Sequence, residues 1–229
     1  VVADLHFAPT EWSRNNLLRE NVPAERIIVT GNPVIDALQQ VAEKPIPPEI
    51  QALLKKVSGQ RILLVTAHRR ENFGTPLENI CAALQALAEK YKDVVRIIYP
   101  VHLNPNVQNI VQPLLGKISN ITLLPPLDYL PLVQLMKHST LVLTDSGGIQ
   151  EEAPGFGIPV LVLRATTERP EGIQAGTVRL VGTKTSNILE QACLLLENPQ
   201  EYKKMALSAN PYGDGHAAER IVQSLLKAK

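Results

Sequence analysis

Apolar runs that alternate with amphipathic stretches predict an α/β fold with a doubly wound parallel sheet. Two observations carry this. Residues 61–66, 94–99, 121–124, 140–144 and 159–163 are short and apolar on both faces, as strands covered by helices on both sides must be. Helix-period stretches lie between them, including 76–91 and 129–137. The right-handed crossover rule then wraps helices over both faces of one sheet. Residues 178–181 offer a sixth strand.

The flanking segments extend the pattern. Residues 5–8 read as a short strand, and Thr10 as the N-cap of a helix through Glu20 that buries Leu17 and Leu18. Residues 26–30 form the next strand, closed by Gly31-Asn32-Pro33, and a helix spans 34–42. Three prolines within 45–48 cannot continue a helix or a central strand, so residues 44–48 read as a linker. Helices over 186–197, 199–208 and about 213–226 complete the chain.

Composition narrows the function classes. The 229 residues hold 23 basic and 22 acidic side chains, a net charge of +1 with no basic block, which argues against nucleic-acid binding. No apolar run approaches the ~20 residues of a membrane span. Cys81 and Cys193 sit in apolar helical stretches and read as buried thiols of a reducing compartment. No metal-ligand spacing and no nucleophile elbow is present in the sequence. The chain lacks an initiator methionine, and residues 1–9 resemble a strand in progress rather than a signal peptide, so it reads as the downstream part of a longer protein.

Ligands of doubly wound sheets bind beyond the carboxyl ends of the strands, so the loops there are the candidate sites. After 140–144 comes Asp145-Ser146-Gly147-Gly148 and then a helix with Glu152 on its first turn. Such a turn presents free amides and a positive helix end to a phosphate, and Glu152 can accept two ribose hydroxyls. It can equally be a tight turn with a dipole-stabilising acid. After 61–66, His68-Arg69-Arg70 is an anion-facing cluster or a solvated charged loop. His102 follows 94–99 in the same manner and is a site residue or a structural histidine. After 159–163, Thr166, Thr167 and Arg169 can line a polar pocket, while Glu168 and Glu171 are acid/base groups or N-terminal helix charges, the second reading being favoured for Glu171. Serine, glycine, histidine and arginine on one rim suit an anionic ligand carrying a sugar.

The chain resembles the non-hydrolysing UDP-N-acetylglucosamine 2-epimerases nearly end to end. The likeness rests on Phe7-Ala8-Pro9-Thr10-Glu11, residues 30–36, His68-Arg69-Arg70-Glu71-Asn72, residues 99–105, residues 145–154, residues 166–171 and residues 210–215. It implies a Rossmann-like C-terminal half of a two-domain, glycosyltransferase-B-like architecture. Residues 1–33 would be a remnant of the N-terminal domain, 34–205 the UDP-binding domain, and 206–229 a tail that packs back on the first. Ser146, Gly147 and Gly148 would hold the diphosphate, Glu152 the ribose, and His68 the phosphate near the leaving oxygen. Arg169 would face the sugar-phosphate, and the uracil would lie near Leu132, where the family often has an aromatic; Leu127 stands where it often has glutamine. Arg69 and His102 match positions that bind a second, activating UDP-N-acetylglucosamine in some members. The implied reaction eliminates UDP and re-adds it, without metal or redox cofactor, using carboxylates of the N-terminal domain. The partner is the UDP-sugar, not nucleic acid or membrane, and the whole protein would be a cytoplasmic homodimer. A glycosyltransferase of the same architecture and a non-catalytic nucleotide-sugar sensor are the competing readings.

Overall fold

The structure is a computed structural model that describes residues 2–227; the predicted N-terminal remnant and tail extend at Val1 and at residues 228–229 outside it. Six strands form one parallel sheet: β3 (Arg61–Thr66), β4 (Val95–Pro100), β5 (Ile121–Leu124), β6 (Leu141–Thr144), β7 (Val160–Val162) and β8 (Val178–Leu180), in the order β5-β4-β3-β6-β7-β8. A separate two-stranded parallel sheet pairs β1 (His6–Ala8) with β2 (Ile27–Val29). The expected doubly wound α/β fold is therefore present. Its connections reverse direction between β3 and β6, which makes that gap the topological switch point.

Strand periodicity explains the two-sided core. Leu63, Val65, Ile97, Tyr99, Leu141 and Leu143 point to one face. They pack there against α4 (Thr75–Lys90), α5 (Pro105–Leu115) and α9 (Thr185–Glu197). Ile62, Leu64, Ile98, Val142, Val160 and Val162 point to the other. That face is covered by α2 (Pro33–Ala42), α6 (Tyr129–Lys137) and α7 (Gly147–Glu152). Both faces are dry, which is why the strands read as continuous apolar runs.

Several expectations need correction. Residues 44–48 are not a free linker, and a helix that the prolines concealed, α3 (Pro48–Lys56), follows at once. Pro48 occupies its first turn, where the missing amide costs nothing. The Gln134 side-chain amide donates to the carbonyls of Ala42 and Lys44 and docks the segment on α6. In α1 (Glu11–Arg19) Thr10 caps the helix through the Ser13 amide at 3.1 Å, but Leu17 and Leu18 are only half-buried. Cys81 is fully buried, with its thiol pushed up to about 12 by desolvation, whereas Cys193 is half-buried.

The tail folds back onto the start of the chain. After α10 (Pro199–Ala206), the Tyr212 carbonyl accepts from the Asn32 amide at 2.7 Å, and Gly31 and Gly213, both at positive φ, pass in close contact. Helix α11 starts at Ala217, later than the sequence suggests, because the preceding residues form this crossing. Its N-terminus is capped by Asp36 of α2, which accepts from the amides of Ala217 at 3.1 Å and Ala218 at 2.8 Å. Val222, Leu225 and Leu226 remain exposed on α11. Asp36→Ala is expected to destabilise the tail by about 1–2 kcal/mol, the cost of losing a helix cap. Hydrogen exchange should quicken in 214–227 while α4 and the central strands keep their protection; uniform protection would remove Asp36 from this role.

Candidate functional site

The loops after β3, β4, β5 and β6 meet at the switch point around a cleft of about 260 Å³. It is lined by the polar His68, His102, Ser146, Gly148 and Glu152 and by the apolar Pro100, Pro126, Leu127, Leu132 and Ile149. Six sequence-named residues, including Leu132, thus line one space. Gly147 lies behind the rim, where a Cβ would come within 2.8 Å of the Glu168 carboxylate, so no larger residue fits without moving that side chain. Arg169 stands outside this cleft.

The floor is a hydrogen-bonded weld between β3 and β6. The hydroxyls of Thr66 and Thr144 bond at 2.6 Å, and Thr144 Oγ1 accepts the Ser146 amide at 2.9 Å. Beside them the Asp145 carboxylate is fully buried. Its Oδ2 accepts from the amides of His68 and Arg69, both at 2.8 Å, and from Asn72 Nδ2 at 2.9 Å. The two loops that carry the candidate anion-binding groups are therefore held by one side chain.

Helix α7 begins at Gly147, so its first amides have no partner within the helix and face the rim with the positive end of the dipole. Gln150 braces this turn, donating to the Ser146 carbonyl at 3.1 Å and accepting from Thr167 at 2.6 Å. Glu152 is the last residue of this short helix rather than part of its first turn, and it reaches the cleft from there. Its Oε2 accepts from the Tyr129 hydroxyl at 2.8 Å. Burial pushes the Glu152 carboxyl up; the Tyr129 bond opposes this and Glu151 adds to it. Tyr129 went unnamed in the sequence. The strand-end rule applied to 121–124 leads to its loop, but nothing in the spelling pairs it with Glu152.

His68 is partly exposed and stacks on His102 with ring centroids 5.2 Å apart. Burial lowers its readiness to protonate, Asp145 opposes this, and His102 and Arg69 add to it. Arg69 is drawn to Glu168 at 3.1 Å. Arg164, nearly buried, pairs with Glu71 at 2.6 Å and also with Glu168. Burial works against the charge of Glu168, yet a backbone hydrogen bond and these two arginines hold its carboxyl below the ordinary range.

Arg169 pairs with Glu151, whose other oxygen accepts from Asn32. Asn210 donates to the Glu151 carbonyl at 3.1 Å. Glu171 does lie in the first turn of a helix, α8 (Pro170–Ala175), but it is buried there and accepts from Thr10 at 2.7 Å. These contacts make a polar seam between the loop after β7, the N-terminal segment and the tail.

A larger groove of about 840 Å³ lies along β8, far from the glycine turn and the histidines. Its arginine, Arg179, is occupied by Gln191 and Glu201, so the smaller cleft is the better candidate. Among the described residues no three His, Cys, Asp or Glu side chains are placed to hold a metal ion, and no helix is long and apolar enough to cross a membrane.

Known proteins match this architecture throughout. The family model for UDP-N-acetylglucosamine 2-epimerase matches residues 1–226. The UDP-N-acetylglucosamine 2-epimerase of Salmonella typhimurium is 53% identical over 98% of the chain, which spans 61% of that relative's length. A crystal structure of UDP-GlcNAc 2-epimerase from Neisseria meningitidis bound to UDP-GlcNAc superposes with a TM-score of 0.90 at 50% identity, covering 98% of this chain and 62% of that one. The S. aureus MnaA–UDP co-structure gives 0.92 at 45% identity, covering 98% and 60%. By the extent of the family match and this level of identity, the chain belongs to the UDP-N-acetylglucosamine 2-epimerase family.

Proposed function

We propose that this chain is the UDP-gripping portion of a cytoplasmic, homodimeric UDP-N-acetylglucosamine 2-epimerase. The whole protein interconverts UDP-N-acetylglucosamine and UDP-N-acetylmannosamine by eliminating UDP and adding it back to the other face of the sugar. The observation that carries this is the meeting of His68, the Ser146–Gly148 turn and Glu152 around one cleft at the switch point. Family membership and the relative solved with UDP-GlcNAc bound support it.

Each group has a role in this reading. The Ser146-Gly147-Gly148 turn takes the diphosphate at the open end of α7. Glu152, steadied by Tyr129, accepts the ribose hydroxyls. The uracil lies against the apolar part of the lining around Leu127 and Leu132. Elimination builds negative charge on the departing UDP, and amides plus a protonated His68 stabilise it where it forms. Arg169, fixed by Glu151, flanks the sugar-phosphate side. Arg69 and His102 serve a second sugar nucleotide, with His102 coupled to His68 through the ring stack. Residues 1–33 and 206–229 belong with the N-terminal domain of the whole protein, and 34–205 form the UDP domain. The carboxylate that lines the cleft, Glu152, is committed to the ribose, so proton transfer at C2 falls to groups of the other domain.

Whole protein given UDP-N-acetylglucosamine alone in deuterated water should form UDP-N-acetylmannosamine with deuterium at C2. Product that appears only with an added acceptor would instead mark a glycosyltransferase, and tight binding without exchange a sensor. The 229-residue chain alone should bind UDP without catalysing that exchange.

Glu152→Ala should weaken UDP binding by roughly 1–3 kcal/mol, the scale of losing charged hydrogen bonds; calorimetry showing unchanged affinity would refute the ribose role. The pH dependence has a definite sign. Burial makes the free His68 ring harder to protonate than an ordinary imidazole, with Asp145 opposing this. A bound diphosphate favours the charged ring, so UDP affinity should rise as pH falls from about 8 to about 6. In His68→Ala the rise should vanish, because protonation of the terminal phosphate over the same range only removes ligand charge; identical profiles in variant and parent would remove His68 from the site.

A further inference from the structure

We propose that Asp145 is a positioning residue for His68: it fixes the loop from which the imidazole rises and holds the ring by Nδ1, turning Nε2 to the ligand. This rests on the reading of His68 as the group beside the departing diphosphate.

The geometry treats the two carboxylate oxygens differently. Oδ2 is saturated by three donors, two of them the His68 and Arg69 amides, which sets the backbone. Oδ1 is equally buried yet has no hydrogen-bond partner among the described residues. It stands 3.8 Å from His68 Nδ1. A buried carboxylate oxygen without a donor is costly, and a small rotation of the His68 ring closes the gap. That closure requires a proton on Nδ1.

The groups around the ring favour this arrangement. His102 stacks on its face, and its own Nδ1 is taken up by the Asn104 amide at 3.0 Å. Arg69, on the same loop, is turned aside to Glu168. Across the cleft the Glu152 carboxylate is taken by Tyr129. Asp145 is thus the anion placed to receive the ring proton. The charged ring then donates from Nδ1 to Asp145 and from Nε2 to a phosphate oxygen, with the added proton taken from solvent. The neutral ring, when no ligand is bound, carries its proton on Nδ1.

The test is a nitrogen-15 NMR titration of His68 in the unliganded 229-residue chain, comparing parent with Asp145→Asn. Asparagine keeps a carbonyl oxygen for the three donors but removes the charge and offers N–H to Nδ1. The titration midpoint of His68 should fall by about one pH unit, and the neutral ring should move its proton to Nε2. An unchanged midpoint would overturn the proposal. Should the variant fail to fold, the parent decides alone: a neutral ring protonated mainly on Nε2 overturns it, and one protonated on Nδ1 upholds it. None of these readings needs UDP. A parent whose His68 signals ignore added UDP would count against the UDP reading and leave this result standing.

Discussion

At the switch point, β3 and β6 end side by side and their chains leave in different directions. Each emerging loop has amides that no strand partner can satisfy. Here the Asp145 carboxylate satisfies those of His68 and Arg69 from a residue on the neighbouring loop. Asn72 reaches the same oxygen and also the Leu163 carbonyl beyond β7, so three strand ends are tied at one point. The Thr66–Thr144 hydroxyl pair supports the knot from below. Burying a carboxylate is costly unless it is well solvated by donors. Asp145 meets that cost on one oxygen, and the rim inherits fixed spacing as a result.

Around this point the ionic side chains are largely spent on one another. Glu71, Arg164, Glu168 and Arg69 alternate in sign along a chain that binds the loop after β3 to the loop after β7. Arg169 is similarly matched to Glu151. The fixed positive end left at the cleft is therefore that of the open amides of α7, and His68 adds charge only when its ring is protonated. Amides are fixed dipoles that need no reorganisation when charge builds on a leaving group, whereas a flexible surface arginine must first be ordered. The arginines act mainly as struts, which a sequence rich in basic letters at strand ends does not disclose.

The inner strands β3, β4, β6 and β7 were legible because they are buried on both faces, and burial leaves an apolar run whatever the neighbours are; the edge strands β5 and β8 are only partly covered. The glycine turn was legible from its spelling, and a Cβ at Gly147 would require the partly exposed Glu168 side chain to move. Helix α3 was hidden because proline carries two meanings, breaker and first-turn residue, and only the docking by Gln134 decides between them. Glu171 was placed correctly in a first helical turn, but its burial was not legible, because its partner Thr10 lies 161 residues earlier. The Tyr129–Glu152 pair and the division of labour between the two Asp145 oxygens depend on side-chain directions across separate loops. No local pattern encodes those.

The polar seam gives the tail a role beyond covering the start of the chain. Asn32 binds Glu151, Glu151 holds Arg169, and Asn210 binds the carbonyl of the same glutamate. Glu151 and Glu152 are adjacent in α7, one turned to the seam and the other to the cleft. Any shift of the Gly31–Gly213 crossing must therefore pull on the helix whose first amides form the rim. Glycine at both crossing positions permits the close approach, since a Cβ on either would come within 3.3 Å of the other's Cα. The seam thereby ties the helix whose first amides form the rim to both the N-terminal segment and the tail.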